Sequence, residues 1–211
     1  MTRNRGRSRR SKIVVVLGES SNDRQAIREL LMALRDDCPP VVCRHTPLVL
    51  LKGRERAEQR KQAQRIADAI AGERTEVCLV VTHEDADDLE PAHEPIAEEL
   101  EELLAGEGMI AVAAIPAFEM ETWWYLWPDA VLATYSGWTH PNRRGRDLGR
   151  IRNAKEQLRR DLRGDRARRD YEESDSVQIA QKVRELGLID TRHAKSASFE
   201  RFAGRFRSIE F

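Results

Sequence analysis

KIVVVLGESSND, residues 12–23, decides how the rest of this 211-residue chain is read. Lys12 to Leu17 is an unbroken, mostly β-branched run, the pattern of a strand buried on both faces of a parallel sheet. Gly18 to Asn22 then turns the chain, with Asn22 expected as the helix cap. Asp23 to Leu34 carries Ile27, Leu30, Leu31 and Leu34 at helical spacing. The same strand, turn and helix recur outward from this unit. Pro39-Pro40 ends the helix, Val41 to His45 reads as a short second strand, and Arg54 to Ala71 as a second helix closed by Gly72. Val77 to Thr82 (VCLVVT) is a third strand, Pro91 to Ala105 a third helix, and Met109 to Ile115 (MIAVAAI) a fourth strand. This alternation predicts an α/β fold with a mainly parallel, Rossmann-type sheet of about four strands flanked by helices. Beyond Pro116 the pattern is helical: Glu119–Leu132, Leu148–Leu162, Ser174–Leu186 and Ser198–Ile209. The expected organisation is a basic disordered tail over 1–11, an α/β core over 12–116, and a helical extension over 117–211 that packs on the core.

Charge is zero overall, from 36 basic and 36 acidic residues, but it is segregated along the chain. Thr75 to Asn142 holds fifteen acids and no Lys or Arg, whereas Arg143 to Asp170 holds twelve Lys or Arg against five acids. One molecule can therefore present an acidic site beside a basic surface. No apolar run is long enough to span a membrane, and the Arg-rich start leads into a strand rather than a secretory segment, so a cytoplasmic protein with no membrane partner is expected. Three cysteines (Cys38, Cys43 and Cys78) make neither a disulfide framework nor a zinc site and are expected to be buried thiols. GESSND lacks the glycines and lysine of a phosphate-binding P-loop, so the chain is not itself an ATPase.

Ligands of parallel sheets bind beyond the carboxyl ends of the strands. Three strand ends supply carboxylates there: Glu19, with Asp23 four residues on; Asp85 and Asp87, beside Glu84 and Asp88; and, past Pro116, Glu119 and Glu121. Crowded carboxylates repel one another, and no nearby Lys or Arg relieves them. Hard oxygen donors on short loops suit Mg²⁺ or Mn²⁺. Glu19, Asp85 and Asp87 are therefore expected to converge on one metal-sized pocket, while Asp23 also fits an ordinary helix-cap role.

A strand ending in Gly-Glu, an Asp four residues later and a later strand ending in Asp-x-Asp (VVTHEDAD) resemble the Toprim domain. This is the metal-binding module of topoisomerases, bacterial primases, small maturation ribonucleases and the overcoming-lysogeny-defect nucleases. AIPAFEMETWWYLWPD and the later SFERF further resemble a standalone Toprim-like family found beside ABC- or SMC-like ATPases in phage-defence loci; His83-Glu84 before the Asp pair departs from the usual pattern. The resemblance implies a Mg²⁺- or Mn²⁺-dependent endonuclease. Its catalytic residues would be Glu19, Asp85, Asp87 and, by analogy with two-metal nucleases, Lys155. The metal ligands would be Glu19, Asp23, Asp85, Asp87 and Glu121. The implied partners are DNA or RNA and an ATPase, with a homo-oligomer left open.

Around Arg152, Lys155 and Arg159 the basic stretch has helical spacing. It reads either as a solvated face or as a phosphate-backbone surface using Arg143, Arg144, Arg152, Arg159 and Arg163. Trp123, Trp124 and Trp127 keep apolar company and are expected in the core or at a partner interface. His83 and His93 are expected to be exposed loop residues. A catalytically silent binding or sensor subunit of an ATPase complex is the alternative function. A receiver domain is discounted, because the acidic pair follows the third strand rather than the first. A topoisomerase is discounted because 211 residues leave no room for its gate and nucleophile domains.

Overall fold

The structure, a computed structural model, describes residues 11–45, 54–164 and 167–211. The expected tail thus lies almost wholly outside the described residues. Four strands, β1 (Lys12–Leu17), β2 (Val41–Cys43), β3 (Glu76–His83) and β4 (Ala111–Ala114), form one all-parallel sheet in the order β2-β1-β3-β4. Val15 is in register with Val42 on one side and Val80 on the other, and Val81 with Val112. Between the strands run α1 (Ser21–Leu34), α2 (Arg56–Ala71) and α3 (His93–Gly106). The chain then continues through α4 (Glu121–Trp124), α5 (Pro128–Thr134), α6 (Ala154–Leu162), α7 (Asp175–Glu185) and α8 (Ala197–Arg207). The fold is the α/β architecture that the alternation predicts.

Alternate strand residues face opposite layers. Ile13, Val15, Leu17, Val80, Ala111 and Ala113 pack with Ala63, Ile66, Ala97, Leu100 and Leu104 of α2 and α3. Val14, Val16, Leu79, Val81, Val112 and Ala114 pack with α1 and the C-terminal helices. The outer edge of β4 is covered: the Ala113 amide donates to Glu101 Oε1 at 3.0 Å, and Arg201 and Arg205 hold that carboxylate.

Two expected helices are broken. Glu119–Leu132 splits because Pro128, which has no amide hydrogen, starts α5 at its first turn. Leu148–Leu162 splits into a single 3₁₀ turn (Leu148–Arg150) and α6, because Asn153 takes a left-handed φ of 48° just before Ala154. Trp123, Trp124 and Trp127 are buried. Trp123 stacks on Phe202 at 5.5 Å, meets Phe199 edge-on at 5.3 Å and donates to Ser198 Oγ at 3.1 Å. The ETWW and SFERF stretches therefore form one packing unit. The cysteines are half-buried and free. No described helix is long and apolar enough to cross a membrane.

Candidate functional site

The strand order places β2 on one side of β1 and β3 on the other, so the winding direction reverses between β1 and β3. A crevice opens beyond the carboxyl ends of two strands at such a reversal. Glu19 leaves β1 there, and Glu84 to Asp88 leave β3 there.

Local interactions shape both exits. Ser20, not Asn22, caps α1: its hydroxyl accepts from the Asp23 amide at 3.0 Å and donates to the Asp23 carboxylate at 2.6 Å. Asp23 is thereby engaged in the helix cap. Buried Arg24 donates to the Gly18 carbonyl at 2.7 Å and fixes the turn before Glu19. A side chain at Gly18 would press within 3.3 Å of His83 Cβ, so the missing side chain lets the two strand ends approach. Beyond β3, Ala86 and Asp87 donate to the Pro116 and Phe118 carbonyls, and Phe118 donates back to Asp88, at 2.9–3.1 Å. Asp87 and Phe118 both have left-handed φ, 52° and 58°. The exits of β3 and β4 are thus joined through the backbone, which brings Glu119 to the same edge.

The electrostatics follow from this crowding. Partial desolvation, then the charge of Asp85, raises the Glu19 carboxyl above its usual range, with Glu84 and Asp87 adding to the rise. Burial, then the charges of Glu156 and Asp85, also raises Glu119, against the hydrogen bond from the Lys155 amide. His83 is the buried last residue of β3 and not an exposed loop histidine; its Nε2 lies 3.4 Å from Asp85 Oδ1. Burial disfavours charge on His83, but Asp85, Asp23 and Glu19 outweigh it and raise its pKa. His93 is buried as well.

Lys155 reaches this edge from α6. Its amide donates to Glu119 Oε2 at 2.9 Å, while its ammonium pairs with Glu173. Glu121 is buried in a separate hydrogen-bond chain. Tyr171 donates to Glu121 Oε1 at 3.1 Å and lies 2.6 Å from the Ser176 hydroxyl, which accepts from Trp124 Nε1 at 3.0 Å. Burial pushes the Glu121 carboxyl up to about 7.

The donor set suits a hard divalent cation: Glu19, Asp85, Asp87 and Glu119 offer only carboxylate oxygens, and burial together with neighbouring acids raises the Glu19 and Glu119 carboxyls, a crowding that a cation would relieve. Among the described residues no three His, Cys, Asp or Glu side chains stand together as a group that could hold a metal ion.

Of the arginines expected to face nucleic acid, three are engaged within the fold. Arg143 bonds Asp161 at 2.7 Å and lies over the Tyr125 ring, Arg159 donates to the Tyr171 carbonyl at 3.1 Å, and Arg163 grips Asp170 with two nitrogens. Arg144 and Arg152 are exposed.

Comparison with protein-family models, curated proteins and solved structures returns no match. Sequence reasoning underrated Glu119, which the joined strand exits bring beside Asp85, and His83, whose place in VVTH already marks it as the end of a buried strand. It missed Arg24, which shows no signal beyond its place one turn into α1.

Proposed function

We propose that this chain is a divalent-metal-dependent endonuclease of Toprim type that hydrolyses phosphodiesters of DNA or RNA, acting as the effector of an anti-phage system with an ABC- or SMC-like ATPase. The observation that carries this reading is the placement of Glu19 and Asp85 on either side of the strand-order reversal, close enough that the charge of Asp85 raises the Glu19 carboxyl. Glu19, Asp85 and Asp87 would hold Mg²⁺ or Mn²⁺, with Glu119 beside them. Such an ion supplies Lewis acidity and a water nucleophile at neutral pH. Within the chain, Arg24 and Ser20 fix the turn that carries Glu19, His83 backs Asp85, and Glu119 fixes the start of α6 and with it Lys155.

The test is incubation of plasmid, single-stranded DNA and total RNA with the protein in Mg²⁺ or Mn²⁺. Cleavage is expected from the native chain and its loss from Glu19→Ala and Asp85→Ala, both still folded. Cleavage retained by purified Asp85→Ala would overturn the assignment. The engagement of Asp23 in the α1 cap and of Glu121 with Tyr171 favours a second reading, a catalytically silent binding or sensor subunit of an ATPase complex. Metal titration separates the two: a bound ion raises the melting temperature by mass action, and Asp85→Asn should abolish that rise. No rise in the native chain would favour the silent subunit.

A further inference from the structure

Asn142, Arg143, Arg146, Asp147, Arg150 and Gln157 line a cleft of about 390 Å³ on the basic stretch. Three guanidiniums meet one carboxylate there. Arg143 is held in place by Asp161, Gln157 and the Tyr125 ring, so its charge is largely paired and it forms a rigid wall that costs little side-chain entropy on binding. Arg150 makes only a loose contact with Asp147, at 3.8 Å, and no ion pair among the described residues involves Arg146. Both are exposed, while the two amide side chains at the rim add neutral polar groups. The backbone under the cleft is fixed by the 193–195 segment. Gly145 donates to the His193 carbonyl at 2.7 Å, Leu148 to Lys195 at 2.8 Å, and Lys195 back to Arg146 at 2.9 Å.

The same segment borders the carboxylate edge. The Glu90 amide, in the chain leaving β3, donates to the Gly149 carbonyl at 3.0 Å, and the Lys155 amide donates to Glu119. Gly149 to Lys155 is therefore pinned to the strand exits at both ends, with the arginine cleft at its start. A rigid cationic cleft with a spare guanidinium has the chemistry to take a phosphate group, since guanidinium nitrogens match pairs of phosphate oxygens.

We propose that this cleft is a phosphate-binding subsite that seats the nucleic-acid backbone, with Arg146 and Arg150 as its contacting side chains and Arg143 as its fixed wall. The inference deepens the nuclease reading and rests on it for the identity of the polyanion. The cation path is then the loop before α6 rather than the α6 helix.

The test is equilibrium binding, by fluorescence anisotropy in EDTA, of a labelled 20-base-pair DNA duplex and of its single strand, so that no cleavage is required. R146E/R150E is expected to weaken binding by about tenfold or more and to flatten the log–log salt dependence by about 0.9 for each duplex phosphate that is no longer neutralised. The neutral R146Q/R150Q should move in the same direction by less, and serves if charge reversal beside Asp147 perturbs folding. R60E/R65E, which reverses two exposed charges on α2 in the opposite helix layer, should leave affinity within about twofold. Equal weakening in the cleft and α2 variants, unchanged affinity in both cleft variants, or no binding by the native chain at low salt would each overturn the proposal. Binding through the cleft without cleavage in Mg²⁺ or Mn²⁺ would leave the subsite standing and overturn the nuclease reading alone.

Discussion

His93 begins α3 with an imidazole only 1% exposed and with neither ring nitrogen hydrogen-bonded. Burial pushes its pKa down against the pull of Glu90 and Glu94. The folded state therefore holds this ring neutral, whereas the unfolded chain protonates it near its ordinary value of about 6.5. Because the folded pKa is the lower one, the stability linked to His93 is complete above about pH 6.5 and is lost as pH falls toward the folded pKa. His93→Leu should remove that loss. Denaturant unfolding at pH 7 and pH 5 should show a smaller acid-induced drop in the variant than in the native chain, and an identical drop in both would contradict the burial argument. This ring also shows what stays hidden at the residue scale. The acids at strand ends were legible, because a strand end fixes where its next residue lies. The burial of His93 was not, because it depends on how the start of α3 packs against the rest of the fold, which the sequence pattern does not record.

At the scale of elements, Glu90 joins three segments. Its amide bonds Gly149, and its carboxylate accepts from the Ser196 hydroxyl at 3.2 Å and from the Ala197 and Ser198 amides at 3.0 and 2.8 Å. The carboxylate thus caps the amino end of α8, where the helix dipole favours a negative charge. Gly149 lies so close that a Cβ there would overlap the Glu90 side chain. Gly149→Ala should expel Glu90 from the helix end and destabilise the fold by about 1–2 kcal/mol, the contribution of a charged cap. Glu90→Ala should destabilise by a similar amount, and the double variant by little more than either single one, because both remove the same interaction. Additive effects would show that the two residues act separately. The SFERF stretch at α8 was visible in the sequence as a motif. Its role as the packing partner of ETWW, and its cap from a residue more than a hundred positions earlier, was not. Neither periodicity nor spacing encodes a contact between segments so far apart in the sequence. The broken helices have the same origin: Pro128 was a readable stop, but the left-handed Asn153 follows from the anchoring of the chain on both sides of it.

Across the whole molecule, counting charges gives the sign of the basic stretch but not which charges are free. Arg169 uses its charge within the fold. It grips Asp175 with two bonds of 2.7 Å and lies 4.9 Å over both the Tyr135 and Trp138 rings, while the Asp175 side chain is only 3% exposed. Arg159, Arg163 and Lys155 are likewise tied to the Tyr171 carbonyl, Asp170 and Glu173. These bonds hold the described residues between α6 and α7, so part of the positive excess read from Arg143 to Asp170 is structural. Arg144 and Arg152 are exposed and outside any ion pair among the described residues. Two classes of arginine should therefore separate in one experiment. Arg169→Ala leaves a buried carboxylate without its partner and should cost about 2–4 kcal/mol, lowering the melting temperature by about 5–10 °C while moving nucleic-acid affinity little. Arg144→Glu with Arg152→Glu should change stability by less than about 0.5–1 kcal/mol and act on affinity instead. The pairing argument fails if Arg169→Ala melts with the native chain, or if the Arg144 and Arg152 reversals unfold it. The division follows from burial: a guanidinium facing a buried carboxylate cannot be removed without stranding that charge, whereas one facing water leaves nothing behind.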